Sequence, residues 1–161
     1  MNGVASVLST GVTGGLIALA AALLVATLLG VAMRRRAGQF RPPSPGTPAK
    51  PAGALTEADL GAGLGRQATL VQFSTAFCAP CRPTRQILAQ VADMVDGVTH
   101  VEVDAEDRLD LVRRLHINST PTILVLDPDG AIVKRATGLP RKADVIAALG
   151  PVVRAEDRSR K

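Results

Sequence analysis

The chain contains no tryptophan and no tyrosine, and only three phenylalanines. It has no stripe of basic residues interleaved with aromatic ones, the usual signature of a nucleic-acid surface. It also has no glycine-rich loop of the kind that holds nucleotide phosphates. We therefore expect neither a nucleic-acid partner nor a bound nucleotide.

Charged side chains are absent from residues 1–33. The net charge of +5 arises from one short segment, because the first 53 residues contain five basic residues and no acidic one. These five are Arg34, Arg35, Arg36, Arg41 and Lys50. The remainder of the chain is neutral, so the basic balance says little about its partners.

The uncharged stretch predicts a membrane anchor. Residues 12–33 are mostly Leu, Ala, Val and Ile, and about 22 helical residues span roughly 33 Å, enough to cross a hydrocarbon core. A buried helix of a globular domain would be shorter and less uniformly apolar. A cleaved signal peptide would need a basic start and a cleavage site, and neither is evident. We therefore predict that residues 1–36 form a single-pass transmembrane anchor with a basic flank, in contact with the lipid bilayer.

The three arginines at 34–36 predict the orientation of this anchor. Basic residues beside a span tend to stay in the cytoplasm, and the amino-terminal flank has none to compete. We expect the carboxyl-terminal domain on the cytoplasmic side. If the arginines only bind lipid head groups, the side stays open.

Five prolines within residues 37–54 indicate a linker, which we interpret as a semi-rigid spacer and alternatively as a docking site for a proline-binding partner.

Strand and helix patterns alternate over residues 55–150, followed by a charged tail, 151–161, that we expect to fray. This order is typical of an α/β domain with a mixed central sheet flanked by helices. The predicted strands are 69–74, 98–104, 121–126 and 131–137, and the predicted helices are 82–96, 107–115 and 141–149.

The only two cysteines, Cys78 and Cys81, lie between a predicted strand and a predicted helix. On the first turn of that helix, free N–H groups and the positive end of the helix dipole favour a thiolate at Cys78. Cys81 follows one turn later, close enough to attack a mixed disulfide formed at Cys78. The spacing favours dithiol redox chemistry.

Three other interpretations of the cysteine pair are weaker. A disulfide that closes so short a loop restricts the unfolded chain little, so stability is a poor reason for it. A zinc site needs four ligands, and the remaining candidates, His100 and His116, lack the usual spacing. Inert buried thiols do not suit the polar start of a helix. We therefore expect no metal.

The segment Phe77-Cys78-Ala79-Pro80-Cys81, which follows a strand, resembles the active site of thioredoxins. Thr120-Pro121 before an apolar strand resembles a second family feature. The turn signal Asp127-Pro128-Asp129-Gly130 and then Gly138 follow in the order that thioredoxins show. The resemblance covers roughly residues 60–150.

This resemblance implies a thioredoxin fold and protein-disulfide reductase activity. Cys78 would be the nucleophile and Cys81 the resolving cysteine, with the redox-active disulfide as the only cofactor and a reductase protein as the electron donor. The Thr120–Pro121 peptide would be cis. The residues implied in substrate binding are Thr120, Pro121, Phe77, Ala79 and Pro80.

Three positions depart from the family pattern. Gln72 replaces the buried aspartate that usually relays a proton to the second cysteine, so Cys81 would need water, Glu102 or His100 instead. Phe77 replaces the usual tryptophan, although its ring is still expected to cover the motif. Pro83 falls early in the helix, where we expect an irregular first turn.

We carry three functional hypotheses. The leading one is a membrane-tethered thiol–disulfide oxidoreductase that reduces protein disulfides at the cytoplasmic face. The second keeps the fold but faces outward, as an oxidase, an isomerase or a maturation reductase. The third is a metal-binding or docking module that uses the two cysteines as soft ligands.

Overall fold

A computed structural model describes residues 17–32, 38–40 and 54–159 of the chain. The chain divides into two compact units, Met1–Arg36 and Ala37–Lys161. Each unit is described by itself.

The first unit contains helix α1, residues 17–32. Its apolar side chains are exposed, as shown by Ile17 at 70% and Leu24 at 64%. Within the described residues, no helix is both long and apolar enough to cross a membrane. The rest of the predicted span, 12–16 and Met33, and the arginines at 34–36 lie outside the described residues.

The second unit contains four strands and four helices in its described part. In chain order they are α2 (Glu57–Leu60), β1 (Ala68–Ser74), α3 (Cys81–Met94), β2 (Val98–Asp104), α4 (Leu109–Arg114), β3 (Thr122–Leu126), β4 (Ile132–Thr137) and α5 (Lys142–Ser159).

The four strands form one mixed sheet in the order β2-β1-β3-β4. Strand β1 pairs parallel with β2, and β3 pairs antiparallel with both β1 and β4. The parallel register places Gln72 beside Glu102 and Ser74 beside Asp104, at the carboxyl ends of β1 and β2. The predicted mixed sheet flanked by helices is confirmed.

Each face of the sheet is covered by its own hydrophobic core. On one face, Val71 and Phe73 belong to a cluster with Leu111 of α4. On the other face, Leu70 belongs to a cluster with Leu88 of α3. This second cluster also contains side chains of α5. All seven residues of β1 are buried as a result, as expected for a central strand covered on both faces.

The predicted turn between β3 and β4 is confirmed. The Asp127 carboxylate accepts hydrogen bonds from the Asp129 and Ala131 N–H groups, at 3.0 and 2.9 Å. Gly130 has a φ of +78°, and a Cβ there would lie 2.0 Å from the Leu55 carbonyl oxygen. Glycine is therefore required at this position, where the turn meets the first residues of the domain.

The closing helix differs from the prediction, because α5 runs to Ser159 rather than ending at Leu149. Pro151 lies inside it and removes one backbone donor. Beyond this proline, Val152 is buried in the second core. We attribute the continuation of the helix to this apolar contact, which offsets the lost hydrogen bond. The tail predicted to fray is thus helical as far as Ser159.

The start of the predicted linker also differs from a free spacer. Gly38 is buried and donates its N–H to the Thr137 carbonyl. Phe40 packs against the core that contains Leu88 and Val145. These residues therefore belong to the domain, and the proline-rich part, 41–53, lies outside the described residues.

Candidate redox site

The turn between β1 and α3 places the two cysteines. The Cys78 N–H donates to the Thr75 carbonyl at 3.3 Å, and the Cys81 N–H donates to the Cys78 carbonyl at 3.0 Å. Helix α3 begins at Cys81, with Pro80 as its N-cap. The prediction that Cys78 lies on the first helical turn is therefore wrong. Cys78 precedes the helix, in a turn that leads to its amino end.

The position of Pro83 follows from this start. It is the third residue of α3, and the N–H group of such a residue has no partner within a helix. The missing N–H of proline therefore costs no hydrogen bond there. The Thr84 N–H donates to the Pro80 carbonyl at 3.2 Å, as in a regular first turn. The expected irregularity at Pro83 is wrong for this reason.

Cys78 and Cys81 form a disulfide with a Cα–Cα distance of 5.3 Å. Their surroundings are unequal, because Cys81 is only 3% exposed and Cys78 is partly exposed. Ala79 and Pro80, between them, are exposed. An external molecule can therefore reach Cys78 more easily than Cys81.

Phe77 does not cover the disulfide. Its side chain is 97% exposed, so the expectation that its ring packs over the motif is wrong. The Phe77 ring projects into solvent from the turn between β1 and α3. It remains available to an incoming partner.

The loop before β3 lies against the cysteine turn. The Thr120–Pro121 peptide is cis, which confirms the prediction. The Thr120 hydroxyl lies 3.3 Å from the Thr75 hydroxyl, and the Gly138 N–H donates to the Pro121 carbonyl at 2.8 Å. Pro121 is buried and Thr120 is partly exposed. The structure thus places these two predicted site residues beside the segment that carries Cys78.

Gln72 lies beneath the site and is fully buried. Its Nε2 donates to the Cys81 carbonyl at 3.0 Å, which ties β1 to the first residue of α3. Its Oε1 accepts no hydrogen bond from any described residue. Gln72 therefore holds the backbone at Cys81, and it has no proton to exchange.

A polar network that the sequence analysis missed lies beside the cysteines. Arg85 of α3 donates to both carboxylate oxygens of Glu102, with Nε–Oε2 at 2.6 Å and Nη2–Oε1 at 2.7 Å. The Ser74 hydroxyl donates to the same carboxylate at 2.7 Å. In the sequence, Glu102 is 17 positions from Arg85 and 28 from Ser74. The parallel pairing of β1 with β2 brings Ser74 to Glu102, and Arg85 reaches the same carboxylate from α3.

The network shifts two titratable groups. Burial alone would raise the pKa of Glu102, but the hydrogen bonds from Arg85 and Ser74 and the nearby positive charge outweigh it, so the pKa lies below its ordinary value. Burial lowers the pKa of His100, with a smaller opposing effect from Glu102. His100 Nε2 is buried without a hydrogen-bond partner among the described residues.

An open depression of about 430 Å³ adjoins the disulfide. Both cysteines line it, together with the carboxyl ends of β1 and β2 and the first turns of α3. Of the two groups predicted as alternative proton acceptors for Cys81, Glu102 lines this depression and His100 does not. Within the described ranges, no group of three or more His, Cys, Asp or Glu is placed to hold a metal ion.

The family model described as thioredoxin matches residues 55–150, more than half of the chain. The chain belongs to the thioredoxin family. It is a thioredoxin-like redox protein in which Cys78 and Cys81 can form a disulfide. Membership implies, in general terms, disulfide oxidoreductase activity, protein disulfide substrates and a reductase partner.

Individual thioredoxins agree with this assignment. The thioredoxin of Mycoplasma genitalium is 34% identical over 77 residues, which cover 48% of this chain and 74% of that protein. The thioredoxin of Mycobacterium bovis is 32% identical over 85 residues, covering 52% and 72%. A solved mutant thioredoxin of Halobacterium salinarum, 17% identical, superposes with a TM-score of 0.51 over 55% of this chain and 76% of that one, a likeness that shows the fold alone.

The ion pair between Arg85 and Glu102 predicts a pH-dependent change in stability. Because the folded-state pKa of Glu102 is lowered, its stabilisation is full above the unfolded value of about 4.3 and is lost as the pH falls through the folded value. Arg85→Met removes the partner. The Arg85 side chain is 54% exposed, so we expect a loss of no more than about 1 kcal/mol at pH 7.

Urea unfolding of the wild type and Arg85→Met at several pH values measures this loss. The difference between the two proteins should shrink as the pH falls from 6 to 3. Arg66→Met, an exposed arginine at the opposite end of β1, is the control and should show no such trend. A difference that is independent of pH would contradict the assigned interaction.

Proposed function

We propose that this thioredoxin-family protein reduces protein disulfides by dithiol exchange, with Cys78 as the nucleophile and Cys81 as the resolving cysteine. The observation that carries the proposal is the unequal exposure of the two sulfur-bearing residues. Partly exposed Cys78 is accessible to a protein substrate, whereas Cys81 is buried behind it.

The first step is attack by the Cys78 thiolate on a substrate disulfide. The S–S bond of the substrate breaks, one substrate sulfur becomes bonded to Cys78, and the other leaves as a thiolate that takes a proton from solvent. The amino end of α3 favours the attacking anion, because Cys78 lies in the turn that leads to the positive end of the helix dipole.

The second step is attack by the Cys81 thiolate on the Cys78 sulfur. The mixed disulfide breaks, the second substrate sulfur leaves as a thiolate, and the Cys78–Cys81 disulfide forms. Two electrons have then passed from the protein to the substrate, and an external dithiol reductase restores them. Gln72 cannot accept the Cys81 proton, so water in the depression or the Glu102 carboxylate takes it.

The surroundings of Cys78 suit an extended peptide. The loop at Thr120 and Pro121 contacts the cysteine turn through Thr75, and we expect the Thr120 backbone to pair with a substrate strand. Exposed Phe77, Ala79 and Pro80 supply apolar surface in the same turn. This arrangement supports protein substrates.

We further propose that residues 12–33 tether the domain to a membrane with the domain in the cytoplasm. The support is the absence of charge over this stretch, the helix at residues 17–32 with exposed apolar side chains, and the arginines at 34–36. The alternative in which the domain faces outward, as an oxidase, isomerase or maturation reductase, differs in the side of the membrane.

Replacement of the resolving cysteine tests the exchange mechanism. Cys81→Ser should accumulate mixed disulfides between Cys78 and substrate proteins, because the second step is blocked. The matched variant Cys78→Ser should trap none. Non-reducing electrophoresis of acid-quenched cells, followed by mass spectrometry of the junction peptides, measures both.

Two outcomes would contradict the mechanism. Trapping through Cys81 in the Cys78→Ser variant would reverse the roles of the cysteines. Loss of a stoichiometric bound metal on replacing either cysteine, with no trapped partner, would favour the metal-binding or docking alternative.

Thiol labelling in cells tests the location. The chain has no cysteine outside the motif, so a membrane-impermeant maleimide, added with and without prior reduction, reports only on Cys78 and Cys81. We expect labelling only after lysis, with the protein in the membrane fraction. Labelling of intact cells would place the domain outside and favour the outward-facing alternative. The Cys78→Ser, Cys81→Ser double variant gives the background.

A further inference from the structure

Arg135 of β4 lies outside the redox site and binds the end of α4. Its Nη1 donates to the Leu115 carbonyl at 2.8 Å, and its Nη2 donates to the His116 carbonyl at 2.7 Å. The side chain is half-buried, and burial lowers its pKa. Within the described part of the chain it forms no ion pair. The two carbonyls therefore compensate the burial of its charge.

The two carbonyls flank a residue in a strained backbone conformation. His116 has a φ of +50°, in the left-handed region that residues other than glycine rarely adopt. The helix closes around it, because the His116 N–H donates to the Arg113 carbonyl at 3.2 Å and the Ile117 N–H donates to the Val112 carbonyl at 2.9 Å. Arg135 holds the peptide groups on both sides of His116 with one planar guanidinium. It thereby fixes the direction in which the chain leaves α4.

The chain that leaves α4 in this direction is the loop that carries two of the predicted substrate-binding residues. Ile117 is buried in the first core, and only two exposed residues separate it from Thr120 and Pro121. The far end of the loop is held by Gly138, whose N–H donates to the Pro121 carbonyl at 2.8 Å. Arg135 and Gly138 are three positions apart, in β4 and directly after it. One strand end therefore fixes both ends of the loop relative to the sheet.

We propose that Arg135 is a positioning residue for substrate binding. By fixing the path of residues 116–121, it holds the Thr120 backbone where an extended substrate pairs with it. Arg135 does not line the depression that both cysteines adjoin, so the exchange step itself does not depend on it. This inference rests on the proposed function, because it presupposes that protein disulfides are the substrates.

The experiment compares a protein disulfide with a small one. The full chain, in mild detergent, is reduced, freed of reductant and mixed with insulin or with the neutral disulfide of mercaptoethanol. Thiols are acid-quenched and alkylated at set times, and mass spectrometry counts the oxidised chains. The small disulfide measures the reactivity of Cys78 alone, since it is too short to pair with the loop. The ratio of the insulin rate constant to the small-disulfide rate constant measures the contribution of the loop.

Arg135→Gln should lower this ratio about tenfold and leave the rate constant for the small disulfide unchanged. A misplacement of about 1 Å in a binding group costs up to about a hundredfold, and Gly138 still holds the other end of the loop. Arg135→Lys should lower the ratio only about threefold, since a lysine ammonium keeps the charge but lacks the planar pair of donors that spans two carbonyls.

Two matched controls separate positioning from stability and from charge. Arg114→Gln removes an arginine at the end of the same helix, and its guanidinium binds the Asp59 carboxylate rather than the loop. Lys134→Gln removes a positive charge one position before Arg135, on the opposite face of β4. Both controls should leave the ratio unchanged. Urea unfolding of each variant measures how much stability it loses.

An unchanged ratio in Arg135→Gln would overturn the inference, as would an equal fall in either control or full recovery of the ratio in Arg135→Lys. If Arg135→Gln does not fold, the ratio for Arg135→Lys alone decides, and a ratio equal to that of the wild type overturns the inference. Reduction of insulin by the wild type would in each case still support the proposed function. Failure of the wild type to reduce insulin would instead overturn the proposed function and this inference with it.

Discussion

Burial of strand β1 on both faces is the constraint on which the rest of the structure depends. Its seven residues lie between two hydrophobic cores, and its neighbours β2 and β3 fix its register. The end of such a strand has a fixed position, so the turn that follows it places Cys78 accurately. The Gln72 side chain extends this control, because it holds the Cys81 carbonyl at the first residue of α3.

The proposed exchange chemistry then follows from the different exposure of the two cysteines. Cys78 lies in the turn before α3 and is partly exposed, whereas Cys81 is inside the helix and buried. Cys78 can meet a bulky substrate, and Cys81 can reach the Cys78 sulfur, with which it forms the disulfide. The polar network of Ser74, Arg85 and Glu102 keeps the adjoining depression polar, which allows water near the buried cysteine.

The sequence patterns predicted those structural features that depend on residues close together in the chain. The apolar run of β1, the cysteine spacing and the turn at Asp127–Gly130 were sufficient for the sheet, for the proximity of the cysteines and for the hairpin. Cys78 was wrongly expected on the first turn of α3, because proline is tolerated at an N-cap and at the third helical position alike. The continuation of α5 past Pro151 depends on burial of Val152. The position of Gly38 depends on its hydrogen bond to the Thr137 carbonyl, so both features are tertiary effects. The ion pair of Arg85 with Glu102 depends on strand register, and no periodic pattern in the sequence predicts it.

The most direct measurement of the central claim, that Cys78 is the nucleophile because of its position and exposure, is the rate of alkylation of each thiol. The fully reduced chain is treated with limiting iodoacetamide at pH 7, and the modification of each cysteine is followed by peptide mass spectrometry. Cys78 should be modified at least about tenfold faster than Cys81, because it is accessible and lies before the amino end of a helix. Equal rates, or faster modification of Cys81, would contradict the account.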